Sequence, residues 1–354
     1  MKLVRSSNVV AYWRETDFLL EEFLRRRRVR AAPHHIRILD AFSEPRSPDS
    51  VARGLAPYSP ASVRRAVCEL RNWGFLVRAR SRAARSVARA WRDCLPAAYC
   101  HFVARDVPYT TDAREVSAHF SKRQSIDPPP NVYKDYPGRR RRSLPRDGLR
   151  KTAPLSTVLQ RRRTTRDFGD RPVSLRELAQ VVRGTWGQTG WLDGGVFGRL
   201  LLKTSPSAGA RHPIECYLAA WRVSGLRPGL YHYSVRRDRL EQLRAGDFRE
   251  IAVELAGGQE WVRGAAFLCI MTAVADRVFW KYSSPDAHRL FLLDAGHLGQ
   301  TFSLLATAAG LGPFTTAAMK ESAIEELLEI DGIAEFPVYL CGAGVSPTAN
   351  AVTS

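Results

Sequence analysis

The sequence predicts an α+β protein with a small helical, winged-helix-like domain at its N-terminal end, and three observations carry that expectation. Beyond Pro154, strand-length apolar runs mix with amphipathic helical stretches in no regular strand-helix-strand repeat. No G-x-G-x-x-G follows a first strand, which argues against a Rossmann domain. Residues 33–79 read helix, helix, helix, strand in quick succession, the order of a winged-helix module. With 354 residues and 45% hydrophobic content the chain is globular and long enough for more than one core.

In the N-terminal part, "PHHIRILDAF" opens the pattern. Ser47-Pro48 and Ser59-Pro60 each place an N-cap serine before a proline at the first helical position. After Ser59, Val63, Val67 and Leu70 share one helical face, "NWG" stops the helix, and "FLVRAR" is strand-like. Such a module binds nucleic acid or peptide, or it packs without a ligand of its own. Residues 80–93 form a basic helix candidate, and "RRRR" occurs at 25–28 and 139–142. These runs are solvated faces or grips for an acidic partner. Residues 121–150, rich in Pro, Gly and charge, read as a linker. The expected domains are therefore 1–98, a connecting segment 99–150, and 151–354.

From Pro154 the elements follow in order. "SLRELAQVVRGTWG" is an amphipathic helix after a serine cap, and "IECYLAAWRV", "GLYHYSV" and "AAFLCIMTAVA" are strands. A long helix begins near Ser284-Pro285-Asp286, and "AEFPVYLCGAG" is a closing strand.

Charge and cysteine usage narrow the function classes. Lys plus Arg total 54 against 35 acidic residues, a formal charge of +19, which favours an anionic partner or reflects an arginine-rich coding bias. The six cysteines show no C-x-x-C spacing and no metal-ligand pattern, so free thiols, no metal and a reducing cytoplasm are expected. No segment reaches the roughly 18 to 20 apolar residues of a membrane span.

Four stretches could carry chemistry. In "QRRRTTRDF", Arg162, Arg163 and Arg166 flank the hydroxyls of Thr164 and Thr165, a set suited to a phosphate and an electron-rich ring edge, or to a solvated turn. In "SPSAGARHP", Gly209 allows close backbone approach while serines and amides can donate to a flat heterocycle; a tight loop before a strand would look alike. "RPGLYHY" alone is structural. Lys281-Tyr282 precedes the Ser284 cap, on a connection where loops present functional side chains.

Taken in order, "RRRTTRDF", "PSAGARHP", "PGLYHY", "DAGHLGQTFSLLATAAGLG" and "VYLCGAG" resemble the SagB-type dehydrogenases, the McbC-like azoline oxidases of the nitroreductase superfamily. The resemblance covers about residues 150–346, and 101–137 resembles the segment that precedes that domain. It implies a nitroreductase-like FMN-binding α+β fold, a homodimer with FMN at the interface, and a substrate peptide carrying thiazoline or oxazoline rings. A carrier-tethered peptide and a separate cyclodehydratase are further implied partners. Arg162, Arg163, Thr164 and Arg166 match the flavin-binding segment, and Pro206, Ser207 and Gly209 the loop against the flavin. Gly310, Gly312, Phe314, Thr315 and Thr316 match the segment near the isoalloxazine edge, and Lys281-Tyr282 the Lys-Tyr pair of azoline-oxidising members. Two departures stand out. "CGAGVSP" supplies no C-terminal cation for the FMN phosphate, and Thr164 replaces the commoner serine.

Azoline oxidation removes a hydride and a proton, so the chain must supply a base. Tyrosine, with a reference pKa near 10, is a weak base at neutral pH, but an adjacent ammonium favours its phenolate. On an extended strand the two side chains would point to opposite faces, so a bend is needed for them to converge. Alternatively, Tyr282 packs on flavin or substrate while Lys281 binds peptide carbonyls. Asp294, His297 and Gln300 form a polar stripe on the long helix, read as a buried network at the dimer interface rather than as catalytic groups. The competing functions are a flavin-dependent reductase of dehydroamino acid, nitro or quinone substrates, and a DNA-binding flavin sensor built on the winged-helix-like module. The sequence favours the peptide-acting enzyme over nucleic-acid binding.

Overall fold

The computed structural model describes residues 1–79, 86–92, 94–146 and 153–347. They fall into two units, Met1–Pro108 grouped with Ser284–Asp286, and Tyr109–Ser283 with Ala287–Ser354. The division falls at Pro108, inside the expected connecting segment; the expected boundary at 150 lies outside the described residues.

The first unit runs β1 (Leu3–Arg5), β2 (Val9–Arg14), β3 (Asp17–Glu22), β4 (Arg27–Arg30), α1 (Pro33–Ala41), α2 (Pro48–Gly54), α3 (Pro60–Asn72), β5 (Leu76–Arg78), α4 (Ser86–Trp91) and α5 (Leu95–Val103). The three-helix-and-strand order of 33–79 is present. Ser47 and Ser59 accept from the amides of Ser50 and Ser62, both at 3.2 Å. Val63, Val67 and Leu70 of α3 are buried against Leu3, Phe42 and Phe75. The β2-β3-β4 meander was not expected from sequence. It alters the reading of the first arginine run: Arg25 and Arg28 pair with Glu22 and Glu21, whose carboxylates are buried. Of the basic helix expected over 80–93, α4 is its described part; residues 80–85 and 93 lie outside the described residues.

The second unit begins with α6 (Ala113–Ile126), β6 (Arg140–Ser143), α7 (Leu155–Arg161), β7 (Val173–Ser174), α8 (Leu175–Trp186), β8 (Gln188–Asp193) and β9 (Arg199–Lys203). It continues through β10 (Ile214–Ala220), β11 (Val223–Ser224), β12 (Gly229–Ser234), β13 (Arg239–Ala245), α9 (Arg249–Leu255), β14 (Phe267–Val274) and α10 (Ala275–Phe279). It closes with α11 (His288–Ala308), β15 (Leu311–Thr316), α12 (Glu321–Leu328) and β16 (Glu335–Val345). Seven strands form one sheet in the order β15-β16-β14-β10-β12-β13-β6, with every ladder antiparallel.

Strand periodicity builds the layers. Cys216 and Leu218 of β10 and Cys269 and Met271 of β14 face the core under α8 and α11. Their alternates Tyr217, Ala219, Leu268 and Ile270 face a second core with α9 and α12. Helix α8 is set by a capping box, with Glu177 N–H donating to Ser174 Oγ (3.2 Å) and Ser174 N–H to the Glu177 carboxylate (2.6 Å).

The segment read as a linker is docked instead. Lys134 donates to Tyr217 Oη (2.7 Å) and pairs with Glu335, Ser234 Oγ donates to Asp135 (2.5 Å), and Tyr136 N–H donates to Glu241 (2.7 Å). Then Arg140–Ser143 pairs with β13 as the edge strand. Polar docking leaves no apolar period in the sequence, which is why these residues read as a linker. All six cysteines are free, and Cys216, Cys269 and Cys341 are buried. No helix among the described residues is long and apolar enough to cross a membrane.

Candidate functional site

Lys281 and Tyr282 lie on a helical turn that prolongs α10, not on an extended connection. Trp280 N–H donates to Asp276 O (2.9 Å), and the amides of Lys281 and Tyr282 both donate to Val278 O (3.0 and 2.9 Å). Successive side chains on such a turn are about 100° apart, so the opposition expected of a strand does not arise. Ser284 is not the helix cap either: a 3₁₀ turn, Pro285–Ala287, comes before α11, and the Ser284 hydroxyl donates to Asp286.

Both side chains close on Gly209. A Cβ placed there would lie 2.6 Å from Tyr282 Oη and 2.8 Å from Lys281 Nζ. Gly209 takes φ +58°, which suits glycine, so the loop is shaped to admit the two ends. The Lys281 ammonium also sits 3.8 Å from the centroid of the Phe197 ring. Burial pushes the Lys281 pKa down, and the Arg211 guanidinium adds to that shift. Burial pushes the Tyr282 phenol up, with Arg211 opposing and Asp294 reinforcing. The expectation of a phenolate is therefore reversed in sign: desolvation of the half-buried phenol outweighs the Arg211 guanidinium. The turn offers an amine more readily neutral than a free lysine and a phenol that stays a donor.

A buried polar frame holds this turn to the loop before β10. Arg277 of α10 pairs with Glu215 at 2.6 Å and donates to the carbonyls of His212 (3.1 Å) and Asn131 (3.0 Å). Burial would raise the Glu215 carboxyl, but Arg277 and the hydrogen bond from His232 (2.9 Å) hold it well below the usual range. Arg211 donates to Arg277 O (2.9 Å) and stacks 5.0 Å over Trp280. Neither Arg211 nor Arg277 was singled out from sequence; their role depends on contacts with segments distant along the chain, and no local pattern marks them. From α11, Thr301 shares a 2.7 Å hydrogen bond with Ser205, while Ala208 N–H donates to Asp294 (3.4 Å). The polar stripe expected on α11 splits, with Asp294 buried and His297 and Gln300 exposed. Positions three apart drift about 60° each around the helix, so Asp294 turns into the fold while His297 and Gln300 stay on the outer face of α11.

The other sequence-derived residues form a second group along β15. Thr165 N–H donates to Pro313 O (2.8 Å), and a Cβ on Gly312 would lie 2.6 Å from Thr165 Oγ1. Arg166 lies 5.5 Å over the Trp261 ring, and Arg163 donates to the carbonyls of Gln160 (2.9 Å) and Arg162 (2.8 Å). Among the described residues no carboxylate pairs with Arg162, Arg163 or Arg166, which leaves three cations for an anionic group. Thr164 is exposed beside them. Thr316 Oγ1 accepts from Gln259 (3.0 Å), Thr315 is half-buried, and Gly310 ends α11 with φ +74°. The Phe314 ring is buried against Trp261 and Phe168, and its backbone pairs with Gly342 in the β15-β16 ladder. The Arg162 group and the group of Pro206, Ser207 and Gly209 are joined by no hydrogen bond among the described residues; α11 borders both, through Asp294 at one end and Gly299, near Thr315, further along.

Comparison with known proteins identifies this framework. The profile described as the Nitroreductase family matches residues 159–345. A Methanocaldococcus jannaschii protein named as a candidate nitroreductase is 30% identical over 190 residues, covering 54% of this chain and 90% of its own. The trifolitoxin-processing protein TfxB of Rhizobium leguminosarum bv. trifolii is 32% identical over 142 residues, 39% of this chain and 38% of its own, so the match spans well under half of that relative. Among solved structures, a Ralstonia eutropha protein described as a candidate nitroreductase is 24% identical, with a TM-score of 0.49 over 60% of this chain and 93% of that one. The Escherichia coli microcin synthetase McbBCD complex with truncated pro-MccB17 is 19% identical, with a TM-score of 0.44 over 74% of this chain and 94% of that one. The chain belongs to the nitroreductase family.

Proposed function

We propose that this protein is an FMN-dependent dehydrogenase that oxidises thiazoline or oxazoline rings in a peptide to thiazole or oxazole. The observation that carries the reading is the convergence of Lys281 and Tyr282 on the backbone of Gly209, which sets a base and a donor over one loop. The likeness to TfxB, named for trifolitoxin processing, supports a peptide substrate.

The residues present fit a flavin. The guanidiniums of Arg162, Arg163 and Arg166, without a carboxylate partner among the described residues, suit its phosphate, and the loop of Pro206, Ser207 and Gly209 offers the Ser207 and Gly209 amides to a flat heterocycle while the Ser207 hydroxyl accepts from His212 N–H (2.8 Å). Bound FMN supplies the hydride acceptor. The chain then has to remove the proton. The Lys281 amine, its pKa lowered by burial, accepts it from the azoline ring carbon, and the Tyr282 hydroxyl donates a hydrogen bond that orients the ring. In this reading a second copy completes the flavin site. The outer face of α11, where Leu292 and Leu293 are about half exposed beside Gly296, supports such a homodimer. A cyclodehydratase acting before this enzyme would supply the azoline.

Mass spectrometry of an azoline peptide incubated with the protein and FMN tests the proposal. The expected product is lighter by two hydrogens, with the loss abolished in Lys281→Ala and slowed in Tyr282→Phe. A preparation that cannot be loaded with FMN would rule it out. Bleaching of the flavin by NAD(P)H alone would favour the reductase alternative.

A further inference from the structure

At the sheet edge formed by β6 lies a cavity of about 480 Å³, lined by Arg140, Arg141, Arg142 and Arg227 with Tyr231 and Gln242. The register explains its construction. Tyr231 pairs with Gln242, and Gln242 with Arg140, so the three form one row across β12, β13 and β6. Arg142, two residues on, shares the face of Arg140. The Tyr231 hydroxyl donates to Arg227 O (2.6 Å) and fixes the loop that brings Arg227 to the rim. The positive field of Arg140, Arg227 and Arg142 reaches Tyr231, where it opposes the upward push of burial on the phenol.

Two features of this cavity call for a ligand. None of its lining residues is acidic, and among the described residues no carboxylate pairs with any of the four arginines, so like charges face each other without compensation. In addition, the Gln242 Nε2 amide on the same row is buried without a hydrogen-bond partner, so this row carries an unsatisfied donor beneath the cavity wall. Guanidinium groups offer only donors, in a fork that matches the oxygens of phosphate. Four of them concentrate more charge than one carboxylate could neutralise, and the volume is that of a small-molecule site.

We propose that this cavity binds a small ligand carrying two or more adjacent phosphate groups. The phosphate oxygens meet Arg140, Arg142 and Arg227, and an attached organic group lies against Leu226 and the Tyr231 ring. The sheet order places β6 at the opposite edge from β15 and the Arg162 group, so the site is separate from the proposed flavin region and does not depend on that reading.

Isothermal titration of the full-length protein with pyrophosphate and tripolyphosphate tests it, alongside sulfate and hexaglutamate. The oligophosphates should bind more tightly than either control. Arg142→Gln/Arg227→Gln should weaken pyrophosphate about tenfold or more, while Arg37→Gln/Arg64→Gln, which removes equal charge elsewhere, should not. Thermal stability and flavin content should be unchanged in both variants. Equal weakening by the two double variants, equal binding of hexaglutamate, or no loss in Arg142→Gln/Arg227→Gln would each overturn the proposal.

Discussion

Gly209→Ala separates backbone strain from displacement of the Lys281-Tyr282 pair. The new methyl would fall 2.6 Å from Tyr282 Oη, 2.8 Å from Lys281 Nζ and 3.0 Å from Lys281 Cδ, all inside contact distance. Both side-chain ends can move, so they give way, by something approaching an ångström. Displacement on that scale costs a reaction of positioned groups about a hundredfold. The left-handed φ of +58° adds roughly 1 to 2 kcal/mol of strain in the folded state. For a domain of this size that corresponds to a Tm lower by about 2 to 8 °C. Gly138→Ala provides the control. Gly138 also has positive φ, +82°, but a Cβ there meets nothing within 4 Å. Both variants should melt earlier, and only Gly209→Ala should lose azoline oxidation, followed by mass spectrometry under single-turnover conditions. If Gly209→Ala keeps wild-type turnover while Lys281→Ala does not, the closeness of the pair to Gly209 is irrelevant to its chemistry. If Gly138→Ala loses as much activity, strain alone is responsible.

Three further outcomes follow from the same geometry. Because burial lowers the Lys281 pKa, the active neutral amine gains population as pH rises, so kcat should climb through a pKa below the ordinary lysine value; Tyr282→Phe should keep that limb, and its disappearance would reassign the base. Glu215→Gln leaves Arg277 buried without its carboxylate and should cost about 3 to 5 kcal/mol in urea unfolding, with much of the loss recovered in Glu215→Met/Arg277→Met. The Lys203 amine, pushed down to about 8 chiefly by burial, binds its proton less readily folded than unfolded, so its contribution to stability should improve as pH rises from about 8 towards 10.5. Lys203→Met should therefore raise Tm at pH 7 and raise it less at pH 9.5.

The strands of the second unit were readable because burial on both faces leaves long apolar runs, as in Phe267–Val274, and α8 because its capping box and apolar face are local signals. What could not be read depends on partners far along the chain. Arg140–Ser143 is strand only because β13 pairs with it, and four polar, exposed residues carry no period of their own. The turn at Lys281 was read as a connection rather than a helix because α10 is only five residues long, too short for a periodic pattern. The two groups of site residues were legible as motifs, but the sign of the electrostatics at Tyr282 was not, since it depends on how much water the fold removes.

The buried frame around Arg277 explains how so short a helix can hold Lys281 and Tyr282 against Gly209. Five residues are far below the length at which a helix is stable alone, so α10 must be held by tertiary contacts. Its apolar grip comes from buried Ala275 and Val278 and the edge contact of Phe279 with Phe291, and a polar grip is added to it. Arg277 reaches Glu215 on β10, the His212 carbonyl in the loop and the Asn131 carbonyl in the docked segment. The acceptors lie on two stretches far apart along the chain, 212–215 and Asn131, so one guanidinium ties both to one helix. Arg277 and Lys281 are four residues apart, on one face of the turn, and a rotation of α10 that moved one would move the other. Glu215 is in turn tied through His232 to Glu241 and Arg239 across the sheet. A hydrophobic side chain at 277 could fill the volume at less desolvation cost, but it could not set the rotation of the turn against the loop. In the proposed reaction Lys281 and Tyr282 would act through the ends of their side chains, where a small rotation becomes a large displacement. The charge at 277 is thus a device for aim.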